Sequence, residues 1–320
     1  MAQSLLKLLA SRHPDADIDM LAPEWSWPII ERMPEIREGI VLSTRHGELG
    51  LGTRRELAKR LRQTGYQQAI VLPRSLKAAL VPWFAGIPQR TGYLGEMRYG
   101  LINDVRPFNK GVLRQTVQRY VALGLEPGEP LPGIPLPQLS ASVENQQRAM
   151  HKFGLRPERP AVAMMPGAEY GSAKCWPVEY FAELAELLAA SGFDVWVLGS
   201  EKDAAAGAEI SRDGYAHDLC GQTELADVID LLAACDQCVS NDSGLMHIAA
   251  AVGSRVSGIY GSTSPDFTPP LTDSRVLHYR QLECSPCFRR ECPLGHLRCL
   301  REISPRTVLE GLLDPKKLIS

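Results

Sequence analysis

The sequence predicts an α/β protein made of two doubly wound domains. Short apolar runs bounded by glycine, proline or charge alternate with helical stretches along most of the chain. Such alternation is typical of a parallel sheet that is covered by helices on both faces. The chain has 320 residues, which is long for one hydrophobic core, and a proline-rich segment at 126–137 lies between two alternating halves. We therefore expect one domain at 1–145 and a second at 146–320.

The composition restricts the class of protein. Hydrophobic residues make up 44% of the chain and charged residues 22%, as in soluble globular proteins. The net charge of -2 gives no reason to expect a nucleic-acid partner, which usually selects a basic face. No apolar run approaches the roughly 20 residues that cross a bilayer, and the first residues lack the basic start of a signal peptide. We expect a cytoplasmic protein, in which the eight cysteines are reduced thiols or metal ligands.

The first half opens on a helix, because leucines at helical spacing occupy residues 4–12. Apolar runs then predict strands at 17–22, 39–42 and 69–72, with a helix at 54–63 and another at 112–125. Arg74 and Lys77 directly follow the third strand, at the edge where open α/β sheets bind ligands. Arg98 and Arg106 follow in a stretch rich in glycine and tyrosine. These four residues are either incidental surface charge or a joint site for an acidic acceptor, since cationic side chains suit phosphate and carboxylate.

The second half carries five glycine-containing or polar loops, each at the end of an apolar run. Strands are predicted at 161–165, 193–198, 237–240 and 255–260, and helices at 177–190, 224–234 and 305–313. Loops that follow parallel strands fall on one edge of the sheet, so these five should converge: 167–174, 199–203, 221–223, 242–247 and 261–264. Their convergence outlines a pocket for a nucleoside diphosphate. Within it, Glu201 or Asp203 is a candidate partner for a ribose hydroxyl.

Residues 241–247 pass from a predicted strand straight into an alanine-rich helix. The first backbone N–H groups of such a helix are free to bind an anion, although Asp242 or Ser243 can also serve as an ordinary N-cap. Lys174 adds a point charge for a phosphate or is an exposed loop lysine. His247 either binds phosphate or packs in the core. The presence of four other loops at the same edge favours the phosphate site.

Three long motifs resemble the lipopolysaccharide heptosyltransferases of glycosyltransferase family 9. They are residues 166–177 (PGAEYGSAKCWP), 241–247 (NDSGLMH) and 260–270 (YGSTSPDFTPP), and residues 72–82 and 90–104 resemble the acceptor-side half of that family. The resemblance covers nearly the whole chain. It implies a GT-B fold, in which two Rossmann-like domains face each other across a cleft. Other sugar-nucleotide transferases and epimerases share this fold, but the acceptor-side likeness separates them from the heptosyltransferases.

The resemblance also implies a reaction. The family members in question transfer L-glycero-D-manno-heptose from ADP-heptose, with inversion, to the first heptose of the inner core on a Kdo-lipid A acceptor. No cofactor is needed for catalysis, and the lipid-linked acceptor implies peripheral contact with the cytosolic face of the inner membrane. Lys174 is the implied catalytic cation, since a fixed charge beside the departing ADP stabilises the transition state more than the ground state.

The remaining expected site residues fall into two groups. On the donor side, Asp242 would contact the heptose or order its loop, and Met246 would pack near the adenine. The donor-binding set is Gly167, Glu169, Ser172, Lys174, Glu201, Asp203, Asp242, Ser243, Gly244, Met246 and His247. The acceptor-binding set is Arg74, Lys77, Arg98 and Arg106.

The sequence departs from the family pattern at its start. In the family, a strand and a loop with a Gly-Asp-Met pattern precede the first helix, and the aspartate of that loop is the proposed general base. Met1 of this sequence comes after that point. We favour a start placed at an internal methionine, because a lost inner strand would leave sheet backbone groups unpaired. The alternative is a shortened, catalytically impaired nucleotide-sugar-binding protein, since a missing base costs about 10²–10⁴-fold in rate.

A cysteine cluster lies near the end of the chain, at Cys284, Cys287, Cys292 and Cys299. Four thiolates can close a tetrahedral structural zinc site, which would leave no open position for catalysis. The spacing is nevertheless tighter than in common zinc ribbons. A structural zinc site and a set of reduced, packed thiols therefore remain open alternatives.

Overall fold

The computed structural model describes residues 1–44, 48–155 and 158–313. The chain divides into two compact units, Met1–Pro135 and Leu136–Ser320. The predicted boundary between residues 145 and 146 falls inside the helix Val143–Lys152, which belongs to the second unit. The reason is that the chain joins the second unit before this helix begins, since Leu139 N donates to Ala251 O at 2.8 Å. Within the described ranges, no helix is both long enough and apolar enough to cross a bilayer.

Every strand pair described in the first unit is parallel. Its strands are β1 (Asp19–Ala22), β2 (Glu38–Val41), β3 (Gln68–Val71), β4 (Gln89–Gly92) and β5 (Asp104–Val105). Its helices are α1 (Ala2–Arg12), α2 (Trp27–Ile30), α3 (Leu51–Thr64), α4 (Leu76–Phe84) and α5 (Thr116–Val121). β1 pairs with β2, and β3, β4 and β5 form a three-stranded sheet in that order. β4 and β5 lie at the two ends of residues 90–104, the stretch rich in glycine and tyrosine for which no strand was predicted. Helix α5 is shorter than the helix predicted at 112–125.

Helix α3 illustrates how the local sequence builds this unit. It buries Leu57 and Ala58 against Val81 of α4, and all of its charged residues except the buried Arg54 are exposed. It ends at Gly65, whose φ of +75° is the left-handed conformation that glycine adopts without steric cost. The result is a helix that covers one side of the strands and turns sharply into β3.

The second unit is one doubly wound sheet of six parallel strands. The strands are β6 (Ala161–Met165), β7 (Asp194–Val197), β8 (His217–Asp218), β9 (Gln237–Asn241), β10 (Arg255–Tyr260) and β11 (Arg275–Tyr279). The helices are α6 (Val143–Lys152), α7 (Val178–Ala190), α8 (Ala204–Ser211), α9 (Leu225–Ala234), α10 (Gly244–Val252), α11 (Arg298–Arg301) and α12 (Pro305–Leu313). The spatial order is β11-β10-β9-β6-β7-β8. This confirms the predicted doubly wound class.

The strand order defines where a ligand can bind in this unit. The chain runs outward from β6 to β8, returns to place β9 on the other side of β6, and runs outward again to β11. The connections after β6 and β9 therefore leave the sheet in opposite directions. Open α/β sheets bind ligands at such a switch point, outside the carboxyl ends of the strands.

The core of this unit fixes the positions of the strand ends. All five residues of β6 are buried, as expected for an inner parallel strand with helices on both faces. Phe181 and Leu188 of α7 and Val308 of α12 pack in the same cluster, and Trp176 is 1% exposed there. The indole N–H of Trp176 donates to Ile303 O at 2.9 Å, so the end of the loop after β6 is anchored in the core.

Candidate active site

Asn241, the last residue of β9, holds the loop that follows β6. Its amide nitrogen donates to Pro166 O at 2.6 Å, and its Oδ1 accepts from Trp176 N at 3.0 Å. Because these two partners are the two ends of the loop, one buried side chain closes the loop against the end of β9. Nothing in the sequence indicated this role, apart from the position of Asn241 directly before Asp242.

Lys174 and Asp242 form the charged centre of the switch point. Lys174 Nζ lies 2.6 Å from Asp242 Oδ2 and donates to Asp242 O at 3.0 Å. The two side chains are only 15% and 5% exposed, so the pair is largely desolvated. The Asp242 carboxylate also accepts from Thr263 Oγ1 at 2.7 Å and from Thr268 Oγ1 at 3.2 Å. Asp242 thus orders its loop, one of the two roles expected for it, while the two threonines were not anticipated.

Helix α10 begins with backbone donors that no capping side chain satisfies. Ser243 is the N-cap residue, but its side chain makes no capping hydrogen bond, and its Oγ instead lies 3.2 Å from Ser240 Oγ. A Cβ placed on Gly244 would meet open space. Free N–H groups at the positive end of the helix dipole attract an anion. Ser243 therefore does not act as an ordinary side-chain N-cap, and the phosphate site stays a prediction.

His247 places a neutral imidazole one helical turn into α10. Burial lowers its pKa to about 4, so the ring carries no charge near pH 7. Its Nδ1 is buried, and within the described part of the chain it has no hydrogen-bond partner. A neutral ring can exchange a hydrogen bond with a phosphate or hydroxyl oxygen without adding charge to the site.

Three expected donor-binding residues make structural contacts within the second unit. Met246 is fully buried, and the hydroxyl of Tyr260 lies 3.6 Å from its Sδ. Its side chain therefore faces β10, and the prediction that Met246 packs near the adenine is corrected. The carboxylate of Asp203 accepts from both N and Oγ of Ser200 at 2.8 Å, which caps the turn after β7. Gly167 is needed because a Cβ there would lie 2.5 Å from Asp203 Oδ1.

The other donor-side predictions keep solvent access. Glu169 is exposed and pairs with the equally exposed Lys202 at 2.9 Å. Ser172 begins the short 3-10 turn that ends at Lys174. Glu201 is exposed at the carboxyl end of β7 and remains the predicted partner of a ribose hydroxyl.

The basic residues of the first unit do not form the expected cluster. Arg98 is fully buried, and its guanidinium donates to Tyr93 O at 3.0 Å and to Pro73 O at 2.6 Å. Arg106 is 7% exposed and pairs with Asp104 at 2.9 Å. Both acceptor-binding predictions are corrected, because a desolvated guanidinium must spend its donors on the protein's own carbonyls and carboxylates.

Arg74 and Lys77 retain the acceptor prediction. Arg74 is exposed, donates to Leu94 O at 2.9 Å and stacks on the ring of Phe108 with its Cζ 4.9 Å from the centroid. Lys77 lies in the first turn of α4, after Ser75. Both side chains therefore stand at the carboxyl end of β3, where the sequence placed them.

The four clustered cysteines lie close enough to influence one another. Burial raises the pKa of Cys299 to about 11, and the nearby Cys284, Cys292 and Cys287 raise it further. Backbone N–H groups of its own turn, with Leu297 foremost, lower the pKa of Cys292. Within the described ranges, no three or more His, Cys, Asp or Glu side chains are arranged to hold a metal ion. The Cys292 sulfur accepts hydrogen bonds from its own turn, and the zinc site stays a prediction.

The switch point as a whole brings together groups that suit a phosphate-bearing ligand. It combines free helix N–H groups, an ordered lysine, a neutral imidazole and a carboxylate that is already paired. Fixed donors of this kind stabilise negative charge at low reorganisation cost.

Comparisons with known proteins bear on the family and the fold. Residues 54–298 match the family described as "Glycosyltransferase family 9 (heptosyltransferase)". Lipopolysaccharide heptosyltransferase 2 of Escherichia coli K12 is 43% identical, over 98% of this chain and 93% of that protein. The solved E. coli ADP-heptose LPS heptosyltransferase II aligns with a TM-score of 0.86 at 42% identity, over 97% of this chain and 92% of that one. A family 9 glycosyl transferase from Veillonella parvula, with TM-score 0.82, 19% identity and 97% and 90% coverage, shares the fold.

Proposed function

The chain belongs to glycosyltransferase family 9, the heptosyltransferases, and on this premise we propose that it carries out the heptosyltransferase II reaction. In that reaction, L-glycero-D-manno-heptose passes from ADP-heptose to the first heptose of the lipopolysaccharide inner core. The observation that carries the proposal is the position of the Lys174–Asp242 pair beside the uncapped N-terminus of α10, at the switch point of the second sheet.

The proposed mechanism uses these groups on the leaving side of the reaction. An acceptor hydroxyl oxygen forms a bond to the anomeric carbon on the face opposite ADP, the bond from that carbon to the phosphate oxygen breaks, and the hydroxyl proton passes to a base. Negative charge grows on the departing ADP. The N–H groups of α10 and the ammonium of Lys174 stabilise that charge, which lowers the barrier more than it strengthens ground-state binding.

We also propose that the transfer needs no cofactor, because these fixed donors can neutralise the leaving group. The measurement is the transfer rate before and after treatment with a metal chelator. An unchanged rate is expected, and a rate that falls on chelation and returns with added divalent metal would contradict the proposal.

The acceptor side of the proposal rests on the first unit. We propose that Arg74 and Lys77 face an acidic group of the heptosylated Kdo-lipid A acceptor. Because that acceptor carries lipid chains, the enzyme would meet it in the cytoplasm, at the cytosolic face of the inner membrane. The exposed Met97 and Tyr99, 84% and 74% exposed, support such a peripheral contact.

The test combines binding and transfer. Calorimetry with ADP should show one site per chain, and incubation with ADP-heptose and a Kdo-lipid A acceptor that carries only the first heptose should add one heptose, detected by the acceptor mass. Binding without any transfer would overturn the proposal in favour of a protein that only binds nucleotide sugars, an alternative that the relatives do not favour. Conversion of the free donor to an isomer would instead indicate an epimerase.

A further inference from the structure

The segment 284–298 lies outside the donor site described above but is fastened to the loop that follows β10. Ser285 Oγ donates to Gly261 O at 2.6 Å, and Phe288 N donates to Ser262 O at 2.7 Å. The ring of Phe288 also meets that of Phe267 edge-on, with centroids 6.1 Å apart. The backbone of this segment is therefore held by the same loop that supplies threonines to Asp242.

The same segment is fastened to the loop that carries Lys174. Ala173 N donates to Arg290 O at 3.0 Å, and the hydroxyl of Tyr170 donates to Phe288 O at 2.8 Å. A Cβ on Gly171 would overlap the backbone of Arg290, so glycine permits this close approach. The backbone position of Arg290 is thus set from two sides by loops of the donor site.

The side chain of Arg290 shares one aromatic ring with Lys174. Lys174 Nζ and Arg290 Cζ each lie 5.5 Å from the centroid of Tyr170. The Tyr170 hydroxyl is bonded to the segment that bears Arg290, which limits rotation of the ring. A guanidinium that stacks on a ring in this way keeps its N–H donors available at its edge.

The charge balance of the site indicates what these donors are for. Lys174 is already compensated by Asp242 at 2.6 Å, and Glu169 by Lys202 at 2.9 Å. Arg290 is exposed, and no salt bridge to a carboxylate is found for it within the described residues. A nucleoside diphosphate brings at least two negative charges into this site. Among the described residues, Arg290 is a cation close to Lys174 that has no carboxylate partner.

We propose that Arg290 is a further donor-binding residue, whose guanidinium binds the diphosphate of the nucleotide donor from the Tyr170 side. The inference rests on the proposed function and adds to it a residue from outside the three family motifs. The planar fork of arginine suits two phosphate oxygens at once. Because two loops already hold its backbone, little ordering entropy is lost when the ligand binds.

The experiment compares two adjacent arginines by calorimetry with ADP. Arg290→Ala should weaken ADP binding by about 5- to 20-fold, the effect of one charge-assisted contact near solvent. Arg289→Ala removes the same charge one residue away and should change the affinity by less than about twofold. Arg290→Lys should recover part of the loss, since it restores the charge without the fork. In transfer assays, the loss in Arg290→Ala should fall on KM for the donor more than on kcat.

The outcomes separate this inference from the proposed function. If the wild-type chain fails to bind ADP, the proposed function itself fails. If the wild-type chain binds ADP and the two alanine variants bind it equally well, the Arg290 inference is overturned while the proposed function stands. Both alanine variants should keep the wild-type melting temperature. Tyr170→Leu should reproduce part of the Arg290→Ala loss, and Tyr170→Phe, which keeps the ring but loses the bond to Phe288 O, should reproduce less of it.

Discussion

At the scale of single residues, the site depends on how each charge is compensated. The carboxylate of Asp242 meets Lys174, Thr263 and Thr268 and is 5% exposed, so it acts mainly to hold Lys174 in place. Removing either member of a desolvated pair leaves the other charge buried without compensation, which is costly. A change at Asp242 should therefore be felt at Lys174.

We expect Asp242→Asn to lower kcat by about 10- to 100-fold, because the amide keeps one acceptor oxygen for a threonine but has no charge to anchor the Lys174 ammonium. Steady-state transfer kinetics, together with urea unfolding, would measure this. Thr268→Val is the control: it removes only the 3.2 Å hydrogen bond and should cost less than about tenfold. Wild-type kcat in a folded Asp242→Asn variant would contradict the positioning role.

His247 should make the stability of the protein depend on pH. Its pKa is lowered to about 4 in the folded state from an ordinary value of 6.5, so below pH 6.5 the unfolded chain takes up the proton first. Stability is thus full above about pH 6.5 and is lost as the pH falls toward about 4, by at most a few kcal/mol. Urea unfolding at several pH values should show this loss in the wild type and less of it in His247→Gln. The exposed His151→Gln should keep the wild-type dependence, and an equal slope in all three proteins would contradict the prediction.

At the scale of elements, the active site is a junction of three strand ends. The loop after β6 carries Lys174, the end of β9 carries Asn241 and Asp242, and the loop after β10 carries the threonines. Each alone is an ordinary connection. The hydrogen bonds of Asn241 to Pro166 and Trp176 join the first two into one rigid piece.

The chain offers a matched comparison for this junction. Asn103 in the first unit makes the same pair of bonds, donating to Pro88 O at 2.7 Å and accepting from Arg90 N at 2.8 Å, but these bonds are exposed. We expect Asn241→Ala to lower the free energy of unfolding by about 2–4 kcal/mol, because it leaves buried backbone groups unsatisfied. Asn103→Ala should cost less than about 1 kcal/mol, since water can replace the side chain.

The same two variants can be tested for binding. Asn241→Ala should also weaken ADP binding, since the Lys174 loop loses its clamp, whereas Asn103→Ala should bind ADP as the wild type does. Equal stability losses in urea unfolding, or unchanged ADP affinity in Asn241→Ala, would show that Asn241 does not hold the loop.

At the scale of the whole molecule, the donor chemistry belongs to one unit. The donor-side groups all lie in the second unit, Leu136–Ser320, which has its own six-stranded sheet. The segment from 126 to 135, which precedes this unit, contains no helix or strand. The first unit supplies Arg74 and Lys77. Donor binding and acceptor binding should therefore be separable by experiment.

Limited proteolysis provides that separation. The first cuts should fall within residues 126–135, because an extended segment outside any sheet or helix is accessible to proteases. The released C-terminal fragment should still bind ADP, within about threefold of the uncut chain, since its core and donor groups are intact. The measurement is calorimetry on the purified fragment, and a fragment that is folded by circular dichroism yet binds no ADP would contradict the prediction.

Much of the second unit could be predicted from sequence because its signals are local. Apolar runs, glycines and the order of strands and helices determined the doubly wound class. Because loops that follow parallel strands share one sheet edge, that class placed Lys174 and residues 241–247 together. Short strands with little apolar pattern, such as β5 and β8, were not predicted, since two-residue strands are defined by their partners rather than by their own sequence.

What only the tertiary structure decided is the direction of each side chain and the partner of each charge. Arg98 and Arg106 carry the residue type of an acceptor site, yet folding buries them on the protein's own oxygens, and Met246 turns toward β10. Conversely, Arg290 is distant in sequence from the donor motifs and reaches Tyr170 through backbone bonds between loops. A sequence by itself determines which strand end a residue follows, because that order is local. Burial and charge compensation depend on residues far along the chain, which only the packed fold brings together.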